Sequence, residues 1–466
     1  MDISPFLNEN SPKPLYVQLY EYLKEQIEIK KLKEGGRLPP KRKLAEHLQL
    51  SINTVENAYA QLMAEGYLIS KPRVGLFVAE LEGSLSNQVP FKVSSGEKLK
   101  EESAGKIQYD YNQGFVDTEH FPFSIWRRLT DECLRPEYRE LLLGGHPQGE
   151  KGLREEIASY LYYSRGVRCE ANQIVIGAGT QILLSNLCRI MGQNWKVAME
   201  EPGFHRSREM FLSYDLGVSP VHIEEDGLNM IELEKSKSNL VYVTPSHQFP
   251  TGSVMSIQKR RKLLKWANEQ NSYILEDDYD GEFRYRGKPI PSLQGLDQAG
   301  RVIYLGTFSK SLIPSMRLSY LVFPTQLMEK YQQEINFQKQ TVSRIHQKTL
   351  ELFMKQGHWD RHLNKMRTLY RKKQKVLVQA IREYFQDQVR IIGDQSGLHL
   401  LLEIQKKDSE EALIEKAARV EVKVYPTSIY YQDLPMLDKP QIMLGFGGLS
   451  EAEIKEGIRL LYEAWR

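Results

Sequence analysis

Five short apolar runs, "QIVIGAG", "KVAMEEP", "NLVYVTP", "YILEDD" and "RVIYLGT", recur between residues 173 and 307, separated by stretches of helical length and mixed polarity. Short strand-like runs alternating with helix-length segments give a large α/β domain on a mostly parallel sheet. Such a sheet places its ligand outside the C-terminal ends of the strands. That is where "GAGT" (177–180), "EDDYD" (276–280) and "GTFSK" (306–310) fall. After about residue 325, charged helices lead to "LHLLLEI", "VKVYPTS" and "QIMLGFG", a smaller α+β part.

A chain of 466 residues exceeds one ordinary core. The break falls at 81–108, "LEGSLSNQVPFKVSSGEKLKEESAGK" and its flanks, where large apolar residues are scarce and a flexible linker is expected. Before it, residues 1–80 form a separate block. "PLYVQLYEYLKEQIEIKK" keeps Leu15, Leu19, Tyr22, Leu23 and Ile27 at helical spacing, "KRKLAEHLQL" is a short second helix, and "SINTVENAYAQLMAEGYL" opens on Ser51 as an N-cap. "YLISKPRVGLFVAE" reads as two strands around a Pro/Gly turn. Three helices and a hairpin make a winged helix-turn-helix, mostly α with a β-wing.

In that layout the N-terminal end of the third helix enters the major groove, presenting Ser51, Asn53, Thr54 and Asn57, while neighbouring cations touch phosphate. Residues 30–43 hold seven Lys/Arg, Lys41 and Arg42 among them, against Glu34 alone, and Lys71 and Arg73 flank the wing tip. A protein-binding winged helix with a solvated basic face is the alternative. The whole chain, at +3, does not by itself demand a polyanionic partner.

Lys310 follows small hydroxyl residues at a strand end. A lysine amine attacks an aldehyde only when neutral, so such a lysine needs burial or positive neighbours. Pyridoxal phosphate (PLP), the common aldehyde partner, also wants phosphate ligands, a carboxylate for its ring nitrogen, a donor for its phenolic oxygen and a flat ring neighbour. Gly179, Thr180 and Gln181 open a helix after a tight turn. Asp277, Asp278 and Tyr279 end another strand. Thr307 and Ser309 precede Lys310, and Arg317 follows it. Taken singly, "GAGT" is a generic turn, the acidic pair suits Mg²⁺ or solvent, and the lysine suits the surface.

The first block resembles the GntR-type DNA-binding domain through "LPPKRKLAEHLQLSINTVENAYAQLMAEGYL", with Arg42 in the place of a DNA-contacting arginine. Two positions depart from the pattern: Pro40 stands where a serine is usual, and Ile52 where an arginine is usual. Residues from about 111 resemble fold-type I aminotransferases through "YNQGFVDTEHFPFSIW", "HPQGEKGLREEI", "EEPGFHR", "TPSHQFPTG", "EDDYDGEF" and "GTFSKSLIPSMR". Together the chain is similar to the MocR/GabR subfamily of GntR-like regulators. The expected organisation is therefore a winged helix-turn-helix (1–80), a linker (81–108) and a PLP-dependent aminotransferase-like domain (109–466), divided near 325.

The resemblance implies that Lys310 carries the cofactor as a Schiff base. It implies Asp277 at the pyridine nitrogen, Tyr279 at the phenolic oxygen, and Thr180, Gln181, Thr307, Ser309 and Arg317 at the phosphate. Phe204 and His247 would lie against the cofactor, with Phe249 where an asparagine is usual. Arg206 matches a carboxylate-binding arginine of an effector site. Two further arginine places are taken by Met443 and Ile429. It also implies a head-to-tail homodimer on double-stranded operator DNA.

The expected function is a DNA-binding regulator that senses PLP itself or an amine, D-amino acid or dipeptide. The alternative is a working aminotransferase with a DNA-binding arm. A polar start, "MDISPFLNEN", and the lack of an 18-residue apolar run point to a cytoplasmic protein without membrane spans. No metal site is expected: Cys133, Cys169 and Cys188 are far apart, and His358 and His362 in "HWDRH" read as a surface pair. "RTLYRKKQK" (367–375) reads as a solvated helix face.

Overall fold

The structure, a computed structural model, describes residues 7–8, 11–80, 107–192, 194–285, 290–335, 338–405, 408–432 and 439–466. The expected linker lies outside the described residues except for its last two positions. The chain divides into two compact units, Met1–Ser103 and Ala104–Arg466.

In the first unit the helices Leu15–Glu28, Lys41–Leu48 and Ile52–Ala64 close on a core of Leu19, Leu23, Ile27, Leu44, Val55, Ala58, Tyr59 and Leu62. The strands Leu68–Lys71 and Gly75–Val78 pair antiparallel, with Lys71 opposite Gly75 at the wing tip. Ser51 caps the third helix, its Oγ accepting from the Thr54 N–H at 3.1 Å. Pro40 precedes the second helix without a side-chain cap.

The second unit is built on an eight-stranded sheet. Its centre is parallel, running from Val302–Thr307 through Tyr273–Asp278, Leu240–Val243 and Lys196–Glu201 to Gly217–Glu224. Both margins are antiparallel. Ser319–Val322 pairs antiparallel with Val302–Thr307 and with Ile174–Gly177, and Gly227–Leu228 folds back on its predecessor. The sheet is therefore mixed. Only eleven residues separate Thr307 from Ser319, directly opposite it, and a parallel return needs a crossover of about a dozen or more residues, usually a helix. The loop left between them, which carries Lys310 and Arg317, stays at the C-terminal edge of the parallel strands.

A smaller four-stranded sheet, in spatial order Val389–Ile392, His399–Ile404, Gln441–Gly445 and Tyr425–Pro426, packs with Glu410–Arg419 and Glu451–Trp465. Its core also takes Tyr109, Tyr111 and Val116. Tyr109–Asp110 pairs parallel with Val422–Lys423, and the Tyr111 hydroxyl donates to the Ile454 carbonyl at 2.9 Å. The helices Thr325–Ile335 and Arg344–Lys355, expected in the smaller part, bury Leu327, Tyr331, Leu350 and Phe353 in the cores of the large sheet.

The helix His358–Phe385 serves both bodies, with Trp359 and Leu363 in one core and Met366 to Phe385 in the other. This corrects two surface readings at one polar residue each, while Arg371, Lys372 and Lys375 are exposed as expected. His362 is buried and its Nε2 pairs with the Ser311 carbonyl at 3.0 Å, in the Lys310 loop. Lys373 is buried too, donating to Asp117 at 2.7 Å. Both lie on the face that the helix turns inward. Among the described residues no helix is long and apolar enough to cross a membrane.

Candidate cofactor pocket and nucleic-acid interface

The strand Tyr273–Asp278 is buried throughout and delivers its carboxylates into the interior. Asp277 accepts a hydrogen bond on Oδ2 from the Tyr242 hydroxyl, while its Oδ1 is buried without a hydrogen-bond partner. Burial lifts its carboxyl to about 7; Tyr242 opposes the shift, and Asp278, Asp280 and Glu200 add to it. Asp278 is committed elsewhere, to Arg165 Nε and the Tyr304 hydroxyl, both at 2.6 Å. Both bonds fall on Oδ2, and the Asp278 Oδ1, like that of Asp277, is buried without a hydrogen-bond partner; what separates the pair is that Asp278 is charge-balanced by Arg165, whereas Asp277 meets only the Tyr242 phenol.

Lys310 lies past the end of the adjacent strand, whose Leu305 is opposite Asp277. Its Nζ donates to the Gln113 main-chain carbonyl and lies 3.3 Å from that residue's Oε1. Burial lowers its ammonium to about 8, with Asp280 acting the other way. The amine is therefore neutral far more often than that of an exposed lysine at the same pH.

The loop around Lys310 is hydroxyl-rich. Thr307 Oγ1 accepts from Ser319 Oγ at 2.9 Å and donates to Ser309 Oγ at 3.0 Å. Arg317 follows the short turn Pro314–Met316 with φ +50°, a left-handed conformation uncommon outside glycine. Its guanidinium reaches over Gly179, where an added Cβ would collide with it. Gly179, at φ +93°, starts the helix Thr180–Met191. One arginine, three hydroxyls and the free N–H groups of a helix start thus converge, a set suited to a phosphate. Gln181 is exposed on that helix's first turn.

The opposite wall is aromatic. Phe204 stacks on Phe249, with centroids 3.9 Å apart and planes 4° from parallel, and meets Tyr279 edge-on at 5.2 Å. The Tyr279 hydroxyl is 2.9 Å from His247 Nδ1, and that nitrogen is 3.0 Å from both oxygens of Asp280. Phe249, Tyr279, Leu401, Tyr430 and Met443 form one buried cluster, with Met443 0% exposed. Ile429 is exposed. Arg206 is exposed on the helix His205–Leu212, and its charge acts on Tyr430, whose phenol burial pushes up to about 12.

PLP suits these residues. A buried carboxylate oxygen waits unpaired, a depressed lysine lies beyond the neighbouring strand, and a glycine leaves room under an arginine at a helix start. The sequence did not single out Tyr242, Gln113, Asp280, His399 or Ser319. Asp280 stands within the "EDDYDGEF" motif, but Tyr242 and Ser319 lie inside ordinary strand runs and Gln113 contributes its main chain, so nothing in their spacing marks them.

On the first unit, Arg42, Ser51, Asn53 and Asn57 are exposed and Thr54 is half-buried, its hydroxyl 2.8 Å from Ser51 Oγ. Lys41 forms an ion pair with Glu56 at 2.7 Å, tying the second helix to the third. Ile52 is 46% exposed amid this polar face. Arg73 turns the wing tip at φ +62°, and Lys71 Nζ lies 4.7 Å above the Phe77 ring.

The family of bacterial regulatory proteins of the gntR type matches residues 15–78, and the aminotransferase class I and II family matches residues 108–461. The chain is 46% identical to the HTH-type transcriptional regulator YdeL of Bacillus subtilis over the full length of both. It is 34% identical to the probable rhizopine catabolism regulatory protein MocR of Rhizobium meliloti, over 98% of this chain and 95% of that one. In three dimensions it is similar to the multiple substrate aminotransferase of Thermococcus profundus, with a TM-score of 0.69 and 25% identity over 77% of this chain and 91% of that one. With a GntR-type helix-turn-helix ahead of an aminotransferase fold, and relatives alike from end to end, the chain belongs to the MocR-type transcription regulators of the GntR family.

Proposed function

We propose that this regulator holds PLP on Lys310 and uses it to sense an amine, or PLP itself, rather than to run a transamination cycle. The observation that carries the cofactor assignment is Asp277 itself: its Oδ1 is buried and unpartnered and, unlike Asp278 with Arg165, it pairs with no cation among the described residues. A lone carboxylate oxygen in the interior is costly unless a donor meets it, and a protonated ring nitrogen is such a donor. Bound there, PLP supplies an aldehyde that captures amines and a ring that accepts electrons.

Each side chain then has a task. Lys310 offers a neutral amine because burial disfavours its charge. Asp277 keeps the ring nitrogen protonated, and Tyr279 donates to the phenolic oxygen. Gly179, Thr180, Gln181, Thr307, Ser309 and Arg317 hold the phosphate. Phe204 and His247 limit the ring's movement. On the other unit, Asn53, Asn57 and Thr54 face bases, and Lys41, Arg42, Ser51, Lys71 and Arg73 face the backbone of operator DNA. Two copies, arranged head to tail, would present paired DNA-binding units to paired half-sites.

The sensor reading rests on the effector side of the pocket. Arg206 is exposed there, the neighbouring Arg208 is taken up by Glu201 at 3.6 Å and by the Tyr431 carbonyl, and Met443 is buried among Phe249, Leu401 and Tyr430. A substrate α-carboxylate held at two points for turnover would need a second cation on that wall. Effector binding would act by favouring one of two arrangements of the DNA-binding units, through its different affinity for each.

The test is a half-reaction assay. Candidate amines are mixed with PLP-loaded protein, and pyridoxamine phosphate and keto acid are quantified over one and many turnovers. Spectral change with stoichiometric or no product supports a sensor. Sustained turnover with a keto acid makes the protein an aminotransferase with a DNA-binding arm.

A further inference from the structure

His247 is 3% exposed, and its hydrogen bonds fix more than its own position. Its Nδ1 is 3.0 Å from Asp280 Oδ1 and from Oδ2, and 2.9 Å from the Tyr279 hydroxyl. An ionised carboxylate only accepts, so the imidazole hydrogen must be on Nδ1. A nitrogen carrying that hydrogen cannot accept another. Tyr279 therefore turns a lone pair toward His247, and its own hydrogen points elsewhere.

A separate observation agrees. His247 Nε2 is buried with no hydrogen-bond partner. A second hydrogen there would be an orphaned donor, rarer in protein interiors than an orphaned acceptor. The hydrogen that the geometry requires is therefore the one on Nδ1.

Packing holds this arrangement. A Cβ at Gly397, whose φ is +71°, would strike the His247 ring and approach Asp280 Oδ2 to 2.5 Å, and one at Gly252 would come within 3.1 Å of His247 Nε2. Arg165 and Arg284 line a small cavity with His247 and Asp280, and Arg165 is committed to Asp278 and the Ser246 hydroxyl. His399 lies on the next ring, 5.2 Å away, held neutral by burial with its Nε2 paired to the Pro250 carbonyl. Lys310 is near enough to act on His399, and Asp277 and Glu200 near enough to act on Tyr279. Phe204 and Phe249, whose rings meet Tyr279 edge-on, donate nothing, and the Tyr242 hydroxyl is given to Asp277.

We propose that Asp280 and His247 are a positioning pair that leaves the Tyr279 hydroxyl hydrogen free for the cofactor's phenolic oxygen, making Tyr279 a pre-oriented donor. This rests on the reading that PLP is held at Lys310. A hydrogen bond to the phenolic oxygen draws negative charge away from the lysine nitrogen bound to the cofactor. Losing it makes a proton on that nitrogen harder to remove.

The first measurement needs no cofactor. In the apo protein labelled with ¹⁵N-histidine, NMR should find the His247 hydrogen on Nδ1; a hydrogen on Nε2 overturns the proposal. The second is the visible absorption of PLP-loaded protein followed against pH. Tyr279→Phe and His247→Leu should each raise the midpoint by about one pH unit, the scale of one hydrogen bond to a charged group. The double variant should move little further, since both changes remove the same interaction. His247→Asn, whose amide N–H takes the place of Nδ1–H, should keep the midpoint close to that of the wild type.

A midpoint unmoved by His247→Leu but moved by Tyr279→Phe overturns the pair. So does an equal shift in the leucine and asparagine variants, the mark of a packing role. Absence of any visible band in the wild type overturns the cofactor reading instead, and is told apart because the NMR result stands independently. One zinc ion per purified chain, bound through the His247 lone pair, would also overturn it.

Discussion

The polar face proposed to read DNA in the first unit and the candidate pocket of the second use similar side chains in opposite surroundings. Arg42, Ser51, Asn53 and Asn57 lie in solvent, and Lys41 is tied by an ion pair to Glu56. Asp277, Tyr279, His247 and Asp280 are buried, one with an unpaired oxygen and one with an unpaired nitrogen. An exposed face attracts a polyanion by charge that salt screens. A buried pocket works through shifted ionisation and unmet hydrogen bonds, which salt hardly touches. One chain can therefore hold a tight, salt-tolerant cofactor and a salt-sensitive DNA target.

The largest effect expected is at Lys310. Lys310→Ala should abolish the visible band that survives desalting after PLP addition, while DNA binding by the first unit persists in a gel-shift assay. A surviving band would place the covalent link elsewhere and break the contrast at its centre.

Asp277→Asn sharpens the buried side. Its carboxyl is raised from 3.8 to about 7. The favourable contribution of a raised pKa is complete below about pH 4 and lost as pH rises through about 7. Above that, cofactor-free protein bears an ionised, half-satisfied carboxylate in its interior. The asparagine variant of the apo protein should then be more stable than wild type at pH 8 by on the order of 2–4 kcal/mol, with a smaller gap at pH 5. Urea melts at both pH values measure this. In the loaded protein the sign should reverse, because the ring nitrogen then pairs with the carboxylate.

Arg42→Ala addresses the exposed side. Operator affinity should fall roughly tenfold at low salt, and the slope of log K against log salt should shrink by about one, as expected for one lost phosphate contact. PLP absorption should not change. The smallest effect is local: Ser51→Ala removes the cap that receives the Thr54 N–H and should cost the first unit about 1 kcal/mol, read from its unfolding transition.

Much of the fold was legible from periodicity. The spacing of Leu19, Leu23 and Ile27 located the first helix, Ser51 marked the start of the third, and the apolar runs located the central strands. The candidate pocket was legible where a residue type is chemically rare at a strand end, as with Lys310, Asp277 and Gly179. It was illegible where a side chain acts from within an ordinary strand, as Tyr242 does, or where the main chain acts, as at Gln113. His362 and Lys373 were misread because they are polar residues on an otherwise apolar inward stripe, and the spacing does not record that Ser311 and Asp117 wait there as partners.

The sequence alone determined that the chain has two patterned blocks, that the second is a layered α/β domain, and that its chemistry gathers at strand ends. These follow from local rules: side-chain period, capping and the conformational freedom of glycine. Only the tertiary structure decided that the sheet is antiparallel at both margins, that Tyr109–Val116 packs with residues 366–465, and that Arg165 pairs with Asp278 and leaves Asp277 without a cation. Those outcomes depend on partners far apart in the chain, such as Arg165 and Tyr304 claiming Asp278, and no local pattern records which distant residue arrives.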